Sequence, residues 1–289
     1  MGIIYDDIPL PDKVSDILRH DFFLMEKVPA VMVRAVTNPV KFSAFTSIFI
    51  TRGSCTADIN LIQRNITAPA ILNVYADQIV MPTMVSDDFE ASFMVYSKQM
   101  VDSISATVKD LSAFSLAGLH PILRIADSDL PDFERFYGDI RRIIRDSENP
   151  YRYEAVLFTT SAFFYSHIVK YYENLKSGQR ESTQNRITDQ FIRLVQQNYR
   201  RERFLDFYAE QLAITPKHLS RTVRARTGIS AVEWITRHII LEAKVMLRSS
   251  NLNIQQISDE LHFPSQSFFG KYFKKATGLS PKEYRASVH

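Results

Sequence analysis

The sequence predicts two domains of opposite class. The first is a β-rich barrel or sandwich with trailing helices (α+β); the second is all-α, two helix-turn-helix units joined by a linker helix. Three observations predict this. Short β-branched and aromatic runs crowd the stretch from Ala30 to Ser97. The polar stretch "KSGQRESTQNR", Lys176 to Arg186, has no apolar residue and reads as a linker. Beyond it, "SRTVRARTGISAVEWI" from Ser220 and "GKYFKKATGLSPKEYR" from Gly270 repeat one pattern about fifty residues apart. A length of 289 residues suits two domains. The boundaries are placed at 1–175, 176–186 for the linker, and 187–289.

In the first domain the candidate strands are "AVMVRAV", "FSAFTSIFIT", "ADINLIQ", "AILNVYA" and "ASFMVYS", split by "NP", "RGS", "AP" and "SDD". "PDFERFYGDIRRIIRDS" then opens with Pro131 and carries Phe133, Phe136, Tyr137, Ile140, Ile143 and Ile144 on helical spacing. "YEAVLFTTSAFFYSHIVKYYENL" predicts a second long helix. Past the linker, "ITDQFIRLVQQNYR", "RFLDFYAEQLA", "SAVEWITRHIILEAKVMLRS" and "NIQQISDEL" are helical.

Charge divides with the domains. From Arg201 to His289 there are 14 Lys and Arg against 8 Asp and Glu, which leaves 21 basic and 24 acidic residues before Arg201. The excess positive charge therefore belongs to the last third, where it suits a polyanion. Cys55 is the one cysteine; it forms no internal disulfide and points to a reducing compartment, the cytoplasm. "MGIIYDDIPLPDK" carries two early aspartates and no long apolar core, unlike a secretion signal. No apolar run is long enough to span a membrane.

The duplicated unit has a physical logic. A helix capped by Thr215 and opened by Pro216 places Leu219 and Val223 on one face and Lys217, Ser220, Arg221 and Arg224 on the other. Gly228 ends it. In the second copy Phe269 and Phe273 take the inward positions, Ser267, Gly270, Lys271 and Lys274 the outward ones, and Gly278 ends the helix. Gly270, matched by Ser220, either permits close approach to another surface or is a tolerated surface glycine. "SAVE" from Ser230 and "SPKE" from Ser280 predict capping boxes. The helix from Ser230 to Ser249 is about 30 Å long, close to the ~34 Å between successive major-groove faces of B-DNA. Two reading heads held apart by a spacer is the arrangement this predicts.

From about Ile187 to Val288 the sequence resembles the AraC/XylS family of transcription regulators. The resemblance rests on "YAEQLAITPKHLSRTVRARTGIS", "RHIILEAKVML" and "ISDELHFPSQSFFGKYFKKATGLSPKEYR" at their paired spacing. It implies double-stranded DNA as partner, and RNA polymerase if the protein is an activator. Lys217, His218, Ser220 and Arg221 would read a first groove, and Gln266, Ser267, Phe268 and Lys271 a second. Arg224, Lys274 and Lys275 would meet phosphates. Arg221 is the candidate for bidentate recognition of guanine; Phe268 either presses on a thymine methyl or packs. One departure is His262 before Phe263, where the family commonly has glycine; histidine is among the residues less averse to positive φ.

For the first domain the resemblance implies a cupin-like barrel that binds a small-molecule effector and forms a homodimer. Phe45, Ile48, Val74, Phe93, Val95 and Tyr96 would line the effector pocket or simply fill the core. Phe133, Phe136, Tyr137, Ile140 and Ile144 would pair across a two-fold axis or cover the barrel. Cys55 is a passive residue beside a turn or a redox sensor, and Trp234 anchors the core between the heads. No catalytic residue, metal or cofactor is expected. A cupin-type enzyme or ligand-binding protein with a basic accessory helical domain is the alternative, but Ala30 to Ser97 holds no histidine to ligate a metal. A DNA-repair alkyl-transfer protein needs several cysteines, and this chain has one.

Overall fold

The computed structural model describes residues 15–18, 21–107, 121–171 and 183–287. The stretch 1–13, His20, His120, His289 and residues 176–182 lie outside them. The chain folds as two compact units, one built around the strands and one around the helices after residue 180.

In the first unit, β1 (Ser15–Leu18), β2 (Phe22–Pro29), β4 (Phe45–Arg52), β7 (Ala70–Val74), β9 (Glu90–Tyr96) and β10 (Ile122–Arg124) pair antiparallel. They form a six-stranded sheet in the order β1-β2-β9-β4-β7-β10. A four-stranded sheet, β3-β8-β5-β6, is made of β3 (Val40–Lys41), β5 (Ser54–Ile59), β6 (Ile62–Thr67) and β8 (Ile79–Val85). Pro82 sits in β8 next to a register shift opposite Thr56 and Ala57, the kind of irregularity where a strand tolerates proline.

Alternate residues of the larger sheet face two different apolar layers. On β4, Ile48 and Ile50 join Ala57, Ile59 and Val80 of the smaller sheet, while Phe49 joins the helices. On β7, Leu72 and Val74 go one way and Ile71 the other. A strand covered on both faces has no solvent side to encode, so "AILNV" is buried throughout. The β-rich half thus takes the form of two sheets sharing one core, with helices on the outer face of the larger.

One strand reading fails. "AVMVRAV" begins as a short helix, α1 (Ala30–Arg34). Met32, Val33 and Val36 lean over the space between the sheets, so tertiary packing outweighs the β propensity of the valines.

Helix α2 (Lys98–Thr107) follows β9; α3 (Leu130–Arg145) and α4 (Arg152–Phe163) then cover the larger sheet, α4 continuing through a π-helical segment, Phe164–Ile168. Phe133, Phe136, Tyr137, Ile140 and Ile144 are buried against Phe49, Ile71 and Met94. They cover the sheet within one protomer and are not available as a two-fold contact. An amphipathic helix has one apolar stripe, and the sheet already uses it.

The second unit contains α5 (Thr183–Asn198), α6 (Leu205–Gln211), α7 (Pro216–Thr227), α8 (Ala231–Ser249), α9 (Ile254–Glu260), α10 (Gln266–Thr277) and α11 (Pro281–Ala286). Thr183 to Arg186, assigned to the linker from sequence, form the first turn of α5. Leu219 and Val223 of α7, Trp234, Ile235 and Ile239 of α8, and Phe269 and Phe273 of α10 belong to one core. Trp234 is the anchor expected of it. Among the described residues no helix is long and apolar enough to cross a membrane.

Candidate nucleic-acid interface

Each head is built by the same backbone chemistry. At α7 the Thr215 hydroxyl accepts a hydrogen bond from the His218 N–H at 3.2 Å; at α10 Ser265 accepts from Phe268 N–H at 3.2 Å. These caps satisfy donors that a helix start leaves open. At the far ends Gly228 (φ 79°) and Gly278 (φ 82°) turn left-handed. The threonine before each glycine explains the repeated "TG". Thr227 Oγ1 donates to the Val223 carbonyl at 2.8 Å, and Thr277 Oγ1 to that of Phe273 at 2.9 Å. Each threonine oxygen also accepts from the N–H two residues on, Ile229 or Leu279, at 3.4 and 3.3 Å.

The predicted capping boxes differ. At Ser280 both halves form: Glu283 N–H donates to Ser280 Oγ at 3.2 Å and Ser280 N–H donates to Glu283 Oε2 at 2.7 Å. At Ser230 only the first half forms, because the Glu233 carboxylate pairs with Arg237 at 2.6 Å instead. A complete box at Asn253 and Gln256 went unpredicted.

The turns between the paired helices match closely. His262 adopts φ 52° and its counterpart Ala213 also adopts φ 52°. Ala213 N–H donates to the Glu210 carbonyl at 2.9 Å and Ile214 N–H to that of Ala209 at 3.0 Å. His262 N–H reaches Asp259 at 2.9 Å and Phe263 N–H reaches Ser258 at 2.9 Å. This paired closure is how helix C-termini satisfy their last carbonyls, and it holds both turns without glycine.

With Leu219, Val223, Phe269 and Phe273 inward, the other faces are left to solvent. Lys217, His218, Arg221 and Arg224 are exposed on α7, and Ser220 is half-buried between them. Lys217, Ser220, Arg221 and Arg224 line a shallow open groove. On α10, Gln266, Ser267, Lys271, Lys274 and Lys275 are exposed, and Phe268 is 52% exposed with its ring centre 6.1 Å from that of Phe263. Among the described residues no carboxylate lies within ion-pair distance of Lys217, Arg221, Arg224, Lys271, Lys274 or Lys275. Elsewhere in this unit arginines are paired, as Arg200 is with the buried Glu242 at 2.8 Å.

Three arginines that hold the heads were not singled out from sequence. Arg203, just before α6, donates to the Leu261 carbonyl and lies 4.0 Å from the centre of the Phe263 ring. Burial lowers its pKa, and its Nε is buried without a partner. The first half of the unit thus grips the turn of the second head. Arg200 ties the end of α5 to the spacer through Glu242. Arg285 donates to the carbonyls of Leu247 at 2.9 Å and Leu252 at 2.7 Å, closing the end of α8. An arginine near a helix C-terminus is a usable signal; the long-range partners are not.

In the first unit the six candidate effector residues separate by strand parity. Phe45 and Tyr96 line a cavity between the larger sheet and the helices, whereas Ile48 and Phe93 line a second cavity between the sheets. Val74 and Val95 are buried core. Cys55 lines the second cavity, and burial pushes its thiol up to about 11, which keeps it protonated and unreactive. Among the described residues no three His, Cys, Asp or Glu side chains group as metal ligands.

A helix-turn-helix domain model matches residues 208–287, both heads and the spacer. The arabinose operon regulatory protein of Salmonella typhimurium is 35% identical over 78 residues, 27% of this chain and 28% of that protein. The transcriptional activator AarP of Providencia stuartii is 34% identical over 104 residues, 36% of this chain and 77% of that protein. The chain belongs to the AraC/XylS family. It matches less than a third of the length of the arabinose regulator, so the AraC/XylS likeness lies in the helical unit. Among solved structures, fatty-acid-bound ToxT from Vibrio cholerae aligns over 92% of this chain and 93% of its own, at 17% identity and a TM-score of 0.39.

Proposed function

We propose that this AraC/XylS member is a sequence-specific DNA-binding transcription regulator whose two heads engage successive major grooves. The observation that carries it is the set of exposed cations, none within ion-pair distance of a carboxylate among the described residues, on two helices that share one backbone design and one core. Lys217, His218, Ser220 and Arg221 face bases in one groove; Gln266, Ser267, Phe268 and Lys271 face bases in the next. Arg224, Lys274 and Lys275 meet phosphates. Spacer α8 has 19 residues and is about 28 Å long at 1.5 Å per residue, near the ~34 Å groove repeat.

Residues 1–175 form the regulatory module and those from Thr183 onward, where α5 begins, the DNA-binding module. The first module takes a small-molecule effector and governs DNA binding; a homodimer and contact with RNA polymerase complete the expected partners. Selection of bound duplexes with the full chain, followed by hydroxyl-radical footprinting, tests this. Two protected patches on one side of the duplex, with affinity falling steeply as salt rises, are expected. No selected sequence, or one patch only, overturns the two-head reading.

A further inference from the structure

Two cavities lined by described residues of the first unit differ in chemistry. The one between the sheets has about 90 Å³ of free space, and apart from Cys55 its wall is wholly apolar. It offers nothing to orient a ligand. The one between the larger sheet and helices α3 and α4 has about 100 Å³ and is walled by rings and aliphatic groups, but Ser47, Asn73, Thr160 and the tyrosines bring polar atoms to it.

Two of those polar groups are under-used. Thr160 Oγ1 is buried with no well-formed hydrogen bond, although the Tyr96 phenol is its neighbour. The Tyr96 hydroxyl donates to the Met94 thioether at 3.3 Å, a weak acceptor, and its other neighbour is the Thr160 hydroxyl. A buried hydroxyl left unpaired is costly, so an acceptor placed between them is favoured. No Lys, Arg, His, Asp or Glu lines this cavity. A charged ligand would therefore lose its hydration with no counter-charge, which disfavours it.

We infer that this cavity is a binding site for a neutral, one-ring molecule bearing a hydrogen-bond acceptor, oriented by Thr160 and Tyr96. An apolar cavity of about 150 Å³ holds benzene, so at about 100 Å³ this one admits nothing larger than a single ring, and that only as its wall yields. Burial holds the Tyr96 and Tyr137 phenols protonated, so they remain donors at any ordinary pH. The wall also includes Phe164 and Ile168, the two ends of the π-helical segment. Single-turn π segments concentrate at functional sites, and this one puts both its ends in the cavity wall. The inference deepens the effector reading above and rests on it.

The test uses the full chain with three probes of one size: acetophenone, ethylbenzene and benzoate. Acetophenone is expected to bind saturably by calorimetry and to give nuclear Overhauser contacts to the methyls of Met94 and Ile104. Benzoate should bind at least about tenfold more weakly, and Thr160→Val should cost acetophenone about tenfold while leaving ethylbenzene unchanged. Tyr96→Phe should act in the same direction. Equal affinity for benzoate, indifference to Thr160→Val, or no saturable binding overturns the site. Contacts to Met32 and Ile48 instead also overturn it, yet leave the effector reading standing with its pocket between the sheets. Binding is measured without DNA, so either failure leaves the two-head reading to its own footprinting test.

Discussion

The two heads of the helical unit share a skeleton and differ in what they display. The caps of α7 and α10, their left-handed glycines, their threonine locks and their non-glycine turns share one hydrogen-bond pattern. Their outer faces do not: α7 shows Lys217, His218, Arg221 and Arg224, whereas α10 begins with Gln266, Ser267 and an exposed Phe268 before its lysines. The supports differ too. The first head packs on α5 and α6, while the turn of the second is gripped from outside by Arg203. Duplication has kept what positions a recognition helix and released what it reads.

That contrast breaks most sharply through the core the heads share. Phe273→Ala should destabilise the unit by about 3–5 kcal/mol, and Val223→Ala by less, since fewer methylenes are lost. If the heads share one core, chemical denaturation of either variant keeps a single transition for the helical unit. Separate transitions for the two heads would show that they fold independently.

Next in size is the comparison of a base contact with a phosphate contact. Arg221→Ala should cost about 1–3 kcal/mol on the preferred duplex and relax the base preference beneath it. Lys274→Ala should weaken binding on every sequence and flatten the salt dependence by about one unit of slope. Competition binding across duplexes separates the two; identical behaviour would place Arg221 on the backbone.

Arg203 sharpens the difference in support. Arg203→Ala leaves the Leu261 carbonyl without its donor and should cost about 1–3 kcal/mol of stability. Footprints should lose protection in the second groove before the first. Uniform weakening across both would mean that Arg203 merely stabilises the unit.

The smallest effect concerns the paired small residues. Nothing lies within 4 Å of where a Gly270 side chain would begin, so Gly270→Ala should stabilise the free protein by about 0.5–1 kcal/mol, read by thermal melting. If the variant melts higher but binds DNA less tightly, the glycine serves close approach to the duplex. Unchanged affinity makes it a tolerated surface residue.

Legibility in the sequence followed the range of the forces involved. The recognition helices, their caps and their stops were readable because a Thr-Pro start, a four-residue apolar spacing and a left-handed glycine act within one or two turns. "AVMVRAV" was misread because valines that favour a strand were overruled by the cover they provide between the sheets. The helix carrying Phe133, Phe136, Tyr137, Ile140 and Ile144 was read correctly as amphipathic, but periodicity does not say which partner its apolar stripe meets. The effector candidates were grouped across parities: Phe45 and Ile48 sit three apart on one strand and so face opposite layers.

Sequence alone therefore determined the two-part organisation, the duplicated basic heads and the family, because those reside in local spacing and charge that any fold must respect. Tertiary structure alone decided which face of each strand met helices, where Arg203 and Arg200 found partners, and which cavity kept the unsatisfied Thr160 hydroxyl. Those outcomes depend on contacts between residues far apart in the chain, and such contacts leave no periodic trace along it.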